Sequence, residues 1–152
     1  MSWVSGDGAL TPDNWAISPG IDVGTGGNTI TLSWDVVARD PDWDLENYSV
    51  YVSNGNTDAD MLATTPLFNE ILGGVNVMTA RSVTIPSSLT GIVYVAFRHH
   101  DVSDQFVKDV DNVKVTSTPL KTGICISIRM IWNGVPSLSA AIAEIERLGA
   151  LP

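Results

Sequence analysis

The residues best suited to chemistry lie in one acidic segment, residues 39–47 with the sequence RDPDWDLEN. Four carboxylate side chains alternate along this segment, which we name the acidic loop: Asp40, Asp42, Asp44 and Glu46. Carboxylate oxygens at this density are ligands that a hard cation such as Ca²⁺ accepts. The segment is not an EF-hand loop, because the sixth position counted from Asp40 is Leu45 rather than Gly, and the twelfth is Tyr51 rather than Glu. The pattern therefore leaves two alternatives open, a cation site and a solvated acidic surface.

One aromatic side chain, Trp43, lies inside the acidic loop. Aromatic rings offer a large apolar surface that packs against sugar rings and protein side chains. Trp34, by contrast, shares the apolar face of a predicted strand and is expected in the core. We therefore predict that Trp43 is exposed and that it contacts a ligand, either glycan or protein, together with Asp42 and Asp44.

The elements that would position these residues are predicted to be β-strands. Thirteen glycines and eight prolines interrupt the chain at short intervals, which is typical of short strands joined by turns. Residues 29–37 alternate between apolar and polar side chains, so one face is expected to be buried and the other solvated. Other strands are predicted at residues 16–21, 48–53, 80–85, 92–98, 106–108 and 112–116, with a helical turn at 59–63. The predicted fold class is all-β.

The charge of the chain limits its partners. The formal net charge is −9 and the isoelectric point is about 4.3. Nucleic acid is not an expected partner, because phosphate binding needs clustered Lys and Arg. Membrane insertion is not expected either, since no apolar run approaches the roughly 20 residues that span a bilayer. The N-terminus shows no signal-peptide pattern, which leaves a fragment of a longer exported protein or a protein used without its own signal.

Four segments together form a specific pattern: ALTPDNWAISPGIDV at 9–23, TITLSWDVVARDPDWDLENYSVYVS at 29–53, IVYVAFRHHDVSDQF at 92–106 and VDNVKV at 110–115. In this order and spacing they resemble the cleaved adhesin domain family, also called the choice-of-anchor J family. Its members are repeated modules in gingipains and haemagglutinins of Bacteroidetes. The resemblance covers residues 2–115, about three quarters of the chain.

The resemblance implies a jelly-roll-like antiparallel β-sandwich, similar to carbohydrate-binding modules, that serves adhesion without catalysis. The implied partner is a surface protein or a glycan. The implied location is extracellular or on the cell surface, as part of a larger protein. The family also often carries structural calcium, with ligands drawn from separate strands and loops. In this chain we assign that site to Asp40, Glu46 and Asp111.

The octet RHHDVSDQ, residues 98–105, contains both histidines of the chain. His99, Asp101 and Asp104 could form a metal or acid–base cluster. Because the octet belongs to the family pattern, we instead expect Arg98 and His99 to be structural residues that pair with nearby carboxylates. The sequence contains no P-loop, GxSxG, HExxH or GxGxxG motif, and the lone Cys125 lacks a neighbouring base. No enzymatic activity is predicted.

Residues 117–152 match nothing in the family pattern and are predicted to be distinct from the adhesin-like sandwich at 1–116. We expect one more strand at 124–130 and a helix at 136–148, whose apolar stripe contains Leu138, Ile142, Ile145 and Leu148. The helix either packs on the sandwich or serves assembly, with another copy or with capsid or fibre partners. Assembly would suit an alternative function, a bacteriophage head-decoration or fibre protein located in the virion.

Overall fold

The computed structural model describes residues 2–4 and 6–119. Two predicted elements lie outside these residues: the strand at 124–130 with Cys125, and the helix with Leu138, Ile142, Ile145 and Leu148. The described strands, in chain order, are β1 (Trp3–Val4), β2 (Gly8–Ala9), β3 (Asn14–Ile17), β4 (Ile21–Asp22), β5 (Asn28–Ala38), β6 (Asn47–Ser53), β7 (Phe68–Ile71), β8 (Thr79–Ile85), β9 (Ile92–His99) and β10 (Lys108–Pro119). A single short helix, α1 (Asp58–Leu62), is present in the described part.

Two antiparallel sheets form the body of the domain. One has the strand order β10-β5-β8, and the other has the order β3-β9-β6-β7, with β4 also pairing to β9. The strands β1 and β2 form a separate antiparallel pair. Apolar side chains from both large sheets share one core, because each sheet has one apolar face to bury. The predicted antiparallel β-sandwich is confirmed.

Strand β5 shows how the sequence dictates burial. Its even-numbered residues from Ile30 to Ala38 are buried, whereas the odd-numbered residues between them are partly exposed. Trp34 is 1% exposed, as predicted, and its ring packs edge-on against Phe68 of β7 and Phe97 of β9. The strands predicted at 29–37, 48–53, 80–85 and 92–98 are confirmed to within one residue at each end. No helix in the described range is long and apolar enough to cross a membrane.

The prediction of two separate strands at 106–108 and 112–116 is wrong. A single strand, β10, begins at Lys108 and continues to Pro119, whereas residues 106–107 lie outside any strand. Its register against β5 shifts between Asp111 and Lys114, and Asn112 has a left-handed φ of 51°. Such a bulge interrupts the alternation of side chains without ending the strand, which is why the pattern reads as two strands.

Two further corrections concern short strands. The strand predicted at 16–21 is two strands, β3 and β4, separated at Pro19, which lacks the N–H that a continuous ladder requires. Strand β7 was not predicted, because Asn69 and Glu70 in its centre are polar neighbours and hide any alternation. The helical turn expected at 59–63 is α1. It begins with a capping box formed by Thr57 and Asp60.

Candidate functional site

The acidic loop turns back on itself directly after β5. The backbone N–H of Asp42 donates to Oδ1 of Asp40 at 3.0 Å, and the N–H of Trp43 donates to the Asp40 carbonyl at 3.3 Å. An aspartate that accepts from the backbone two residues later forms an Asx turn. Trp43 at the end of this turn is 49% exposed. The exposure predicted for Trp43 is confirmed.

Residues 104–106 run beside the acidic loop although they lie 60 positions later in the chain. The N–H of Leu45 donates to the side-chain Oε1 of Gln105 at 2.9 Å, and the N–H of Phe106 donates to the Trp43 carbonyl at 3.3 Å. The N–H of Arg39 donates to the Val107 carbonyl at 3.1 Å. These hydrogen bonds hold the two segments side by side.

A buried serine, Ser2, links the same two segments from the N-terminal end. Its Oγ accepts the N–H of Gln105 at 2.9 Å, and its carbonyl accepts the N–H of Asp104 at 3.3 Å. The Ser2 hydroxyl also donates to Oε1 of Glu46 in the acidic loop at 3.2 Å. The position of residues 104–106 therefore depends on contacts with two distant parts of the chain, the acidic loop and Ser2.

A groove of about 330 Å³ lies between these segments, and the described residues that line it are Asp40, Trp43, Asp104, Gln105 and Phe106. Phe106 is 39% exposed, so two partly exposed aromatic side chains share one concave surface with two carboxylates. Ligand sites of this kind have volumes of about 300–1,000 Å³. The groove is at the small end of that range, a size that suits one long side chain or one sugar unit.

Of the three predicted ligand contacts, only Trp43 lines the groove. Asp44 points to a different part of the chain, because its Oδ2 accepts the N–H of Gly74 at 2.6 Å. Asp42 is exposed, and its binding role stays a prediction. Asp104 and Phe106 were not predicted as partners of Trp43. The available signal in the sequence was Phe106, an aromatic residue that directly follows the polar residues 103–105.

Glu46, predicted as a metal ligand, is the centre of a buried network. It is completely buried, and its Oε2 lies 2.5 Å from Nε2 of His99. Burial raises the pKa of Glu46, but the hydrogen bonds from His99 and Ser2 outweigh burial, so that the pKa lies below its usual value. Arg98 pairs with Asp13 through Nε–Oδ1 at 2.7 Å and Nη2–Oδ2 at 3.0 Å. The predicted pairing of Arg98 and His99 with nearby carboxylates is confirmed.

The three residues assigned to a calcium site are engaged separately. Glu46 belongs to the buried network, Asp40 closes its own turn, and Oδ1 of Asp111 accepts the N–H of Asn112 at 2.7 Å. Within residues 2–4 and 6–119, no group of three or more His, Cys, Asp or Glu side chains is arranged to hold a metal ion. The set Asp40, Glu46 and Asp111 is therefore not assembled, because His99 already occupies the carboxylate of Glu46. Calcium binding itself stays a prediction.

A second hydrogen-bonded chain contains Ser49, His100 and Asp101. The Ser49 Oγ lies 2.8 Å from His100 Nε2, and His100 Nδ1 lies 2.8 Å from Asp101 Oδ2. This is the connectivity of a hydrolase triad. Ser49, however, is 1% exposed, and its Oγ also accepts a hydrogen bond from Asn69 Nδ2 at 2.9 Å. Because a substrate carbonyl does not reach this Oγ, we interpret the chain as a structural link between β6 and the end of β9.

Comparison with known proteins places the domain among bacterial adhesin modules. The sequence pattern of the Cleaved Adhesin Domain family matches residues 1–115. Gingipain R1 of Porphyromonas gingivalis is 33% identical over 128 residues, which cover 74% of this chain and 7% of that protein. Hemagglutinin A of the same species is 32% identical over 131 residues, which cover 76% of this chain and 6% of that protein. The chain thus spans less than a tenth of these relatives.

Solved structures agree with this assignment. The K1 cleaved adhesin domain of Lys-gingipain from Porphyromonas gingivalis W83 has a TM-score of 0.64 and 32% identity, over 76% of this chain and 70% of that one. The K3 domain of the same protein has a TM-score of 0.65 and 27% identity over the same shares. These adhesin domains are non-catalytic in themselves, and the matches give no support to the virion alternative. The chain belongs to the cleaved adhesin domain family.

Proposed function

We propose that this adhesin domain recognises a surface protein or glycan through the groove lined by Trp43 and Phe106. The observation that supports the proposal is the concave surface of about 330 Å³ on which two partly exposed aromatic residues lie together. Aromatic residues in the centre of a contact supply much of the binding energy of recognition surfaces, because they exclude water over a large area. An adhesin needs such an anchor on its surface.

The hydrogen bonds around the groove support the same proposal. Ser2 and Gln105 hold the lining segments in place before any ligand arrives. A preformed site loses less conformational entropy on binding than a flexible loop does. The groove is therefore organised as a recognition site should be.

The proposal is tested by binding of the labelled full chain to erythrocytes and to immobilised matrix proteins, measured by flow cytometry and by surface plasmon resonance. Erythrocytes are included because one relative is named Hemagglutinin A. We expect Trp43→Ala to weaken binding at least about tenfold, the usual effect of truncating a central aromatic anchor. Leu62→Ala is the matched control, since Leu62 is 52% exposed on α1 and does not line the groove.

Two results would contradict the proposal. One is equal binding by Trp43→Ala and the unaltered chain. The other is the absence of binding to every surface tested, with circular dichroism showing that the chain is folded.

The location and assembly of the domain are part of the same proposal. Its relatives are surface-associated bacterial adhesins, and we infer that the domain acts on a cell surface within a larger protein. Assembly through residues 117–152, with Leu138, Ile142, Ile145 and Leu148 in the contact, stays a prediction. Size-exclusion chromatography of the chain with and without residues 120–152 tests it, because an oligomer that survives the deletion would contradict it.

A further inference from the structure

We propose that the occupant of the groove is the guanidinium group of an arginine side chain on a protein partner. This inference rests on the proposed function, since it names the ligand of the same groove. It follows from three features of the described residues: the unpaired carboxylates of the groove, its aromatic side chains, and the charge of the domain around it.

The two carboxylates of the groove have no cation of their own within the described part of the chain. The Asp40 carboxylate accepts only the backbone N–H of Asp42, and the Asp104 carboxylate has no hydrogen bond or ion pair among the described residues. No Lys or Arg of the described ranges lines the groove. Two negative charges beside an apolar wall, with no internal partner, favour a cationic guest over an anionic or neutral one.

Four of the five basic side chains in the described residues have partners outside the groove. The described residues contain fifteen Asp and Glu but only five Lys and Arg, a net charge of −10. Three arginines form ion pairs and one lysine lies over an aromatic ring, as follows: Arg39 with Asp109, Arg81 with Glu70, Arg98 with Asp13, and Lys108 over Tyr48. The summed field of the domain therefore attracts cationic partners toward the surface.

The aromatic side chains select the form of the cation. A guanidinium is planar, stacks on aromatic rings and donates two parallel hydrogen bonds to a carboxylate. Trp43 offers the ring that binds cations best, and Phe106 adds a second apolar surface. The domain already contains one such arrangement, because the guanidinium of Arg98 lies 5.1 Å from the centre of the Trp15 ring while it pairs with Asp13.

The test uses two peptides that differ only in the end group of one side chain, a charged guanidinium in one and a neutral urea group in the other. Acetyl-Gly-Arg-Gly-amide is titrated into the ¹⁵N-labelled full chain, and acetyl-Gly-citrulline-Gly-amide serves as the uncharged match. The indole N–H signal of Trp43, assigned with Trp43→Phe, reports occupancy of the groove. Methyl glycosides of common hexoses are titrated in parallel.

Substitutions that neutralise the carboxylates keep the local fold. Asp104 has a left-handed φ of 56°, which asparagine also tolerates. In Asp40→Asn the amide oxygen still accepts the N–H of Asp42. The matched control is Asp58→Asn, which removes the same charge at an exposed position of α1 outside the groove lining.

We expect the arginine peptide to shift the Trp43 signal and the citrulline peptide to bind at least about tenfold more weakly. Asp40→Asn and Asp104→Asn should each weaken arginine binding by about three- to tenfold, whereas Asp58→Asn should not. Binding should also weaken as ionic strength rises, because the screening length falls from about 30 Å at 0.01 M to about 10 Å at 0.1 M.

Equal binding of the two peptides would overturn the inference. So would an unchanged affinity in Asp104→Asn and Asp40→Asn, or a Trp43 signal that responds to a glycoside but not to arginine. The proposed function is judged separately, by the effect of Trp43→Ala on surface binding. If that variant loses binding while the arginine peptide shifts nothing, the groove is the recognition site and the arginine assignment alone is wrong.

Discussion

Removing the carboxylate of Glu46 should be among the most destabilising single changes in this domain. Glu46 is completely buried, and its partner His99 is 5% exposed. Solvent therefore screens their interaction little. Glu46→Ala leaves the His99 ring and the Ser2 hydroxyl without the acceptor that both now use. A buried donor left without an acceptor costs about 1–3 kcal/mol, and more where the lost acceptor is charged, so the two together should cost about 3–5 kcal/mol.

Urea unfolding followed by circular dichroism measures this loss. With a slope of about 2 kcal/mol per molar urea, the midpoint should fall by about 1.5–2.5 M. Glu46→Gln keeps the shape but loses the charge, and we expect a smaller loss of about 1.5–3 kcal/mol. The matched control is Asp7→Asn, because Asp7 is exposed and has no hydrogen bond or ion pair among those of the described residues.

The pH dependence of the same variant tests the cause. The pKa of Glu46 in the folded protein lies below its value of 4.5 in an unfolded chain. A group with a lowered folded pKa stabilises the protein fully above its unfolded pKa, and this stabilisation is lost as the pH falls through the folded pKa. The stability difference between the unaltered chain and Glu46→Ala should therefore be largest near neutral pH and narrow below about pH 4.5. A loss below about 1 kcal/mol at neutral pH, or a gap that widens in acid, would refute the reasoning.

Three other predictions follow from the core, the bulge and the metal assignment. Tyr48→Phe should lower the free energy of unfolding in urea by about 1–3 kcal/mol. The Trp34 indole N–H donates to the Tyr48 hydroxyl at 3.0 Å and would be left buried without an acceptor. An equal loss in Tyr94→Phe, a tyrosine with no such bond in the described structure, would contradict this role. At the bulge, Asn112→Ala should have a free energy of unfolding about 1–2 kcal/mol lower than that of Asn112→Gly, and therefore a lower melting temperature. Both variants lose the hydrogen bond to Asp35, but only alanine resists the left-handed φ. Equal melting temperatures would show that the backbone conformation is not responsible. Calcium, as predicted from the sequence, should raise the melting temperature and a chelator should reverse the rise; a melting temperature that responds to neither removes the metal assignment.

The sequence by itself determined the strands whose periodicity is complete within one segment. In β5 every second residue is apolar, and a pleated strand places such residues on one face whatever its neighbours are. Burial of Trp34 follows from that local rule. The family resemblance over residues 2–115 added the antiparallel β-sandwich architecture, which no local pattern contains.

The tertiary structure alone decided what the acidic loop does. Its carboxylates look equivalent in the sequence, yet Glu46 is buried because His99, 53 positions later, supplies a compensating hydrogen bond. Trp43 became part of a groove because residues 104–106 pack beside it, across 60 positions of chain. Similarly, β10 is one strand because pairing with β5 continues on both sides of its bulge. In each case the deciding contact joins residues far apart in sequence, and the spacing of residue types within one segment carries no information about such contacts.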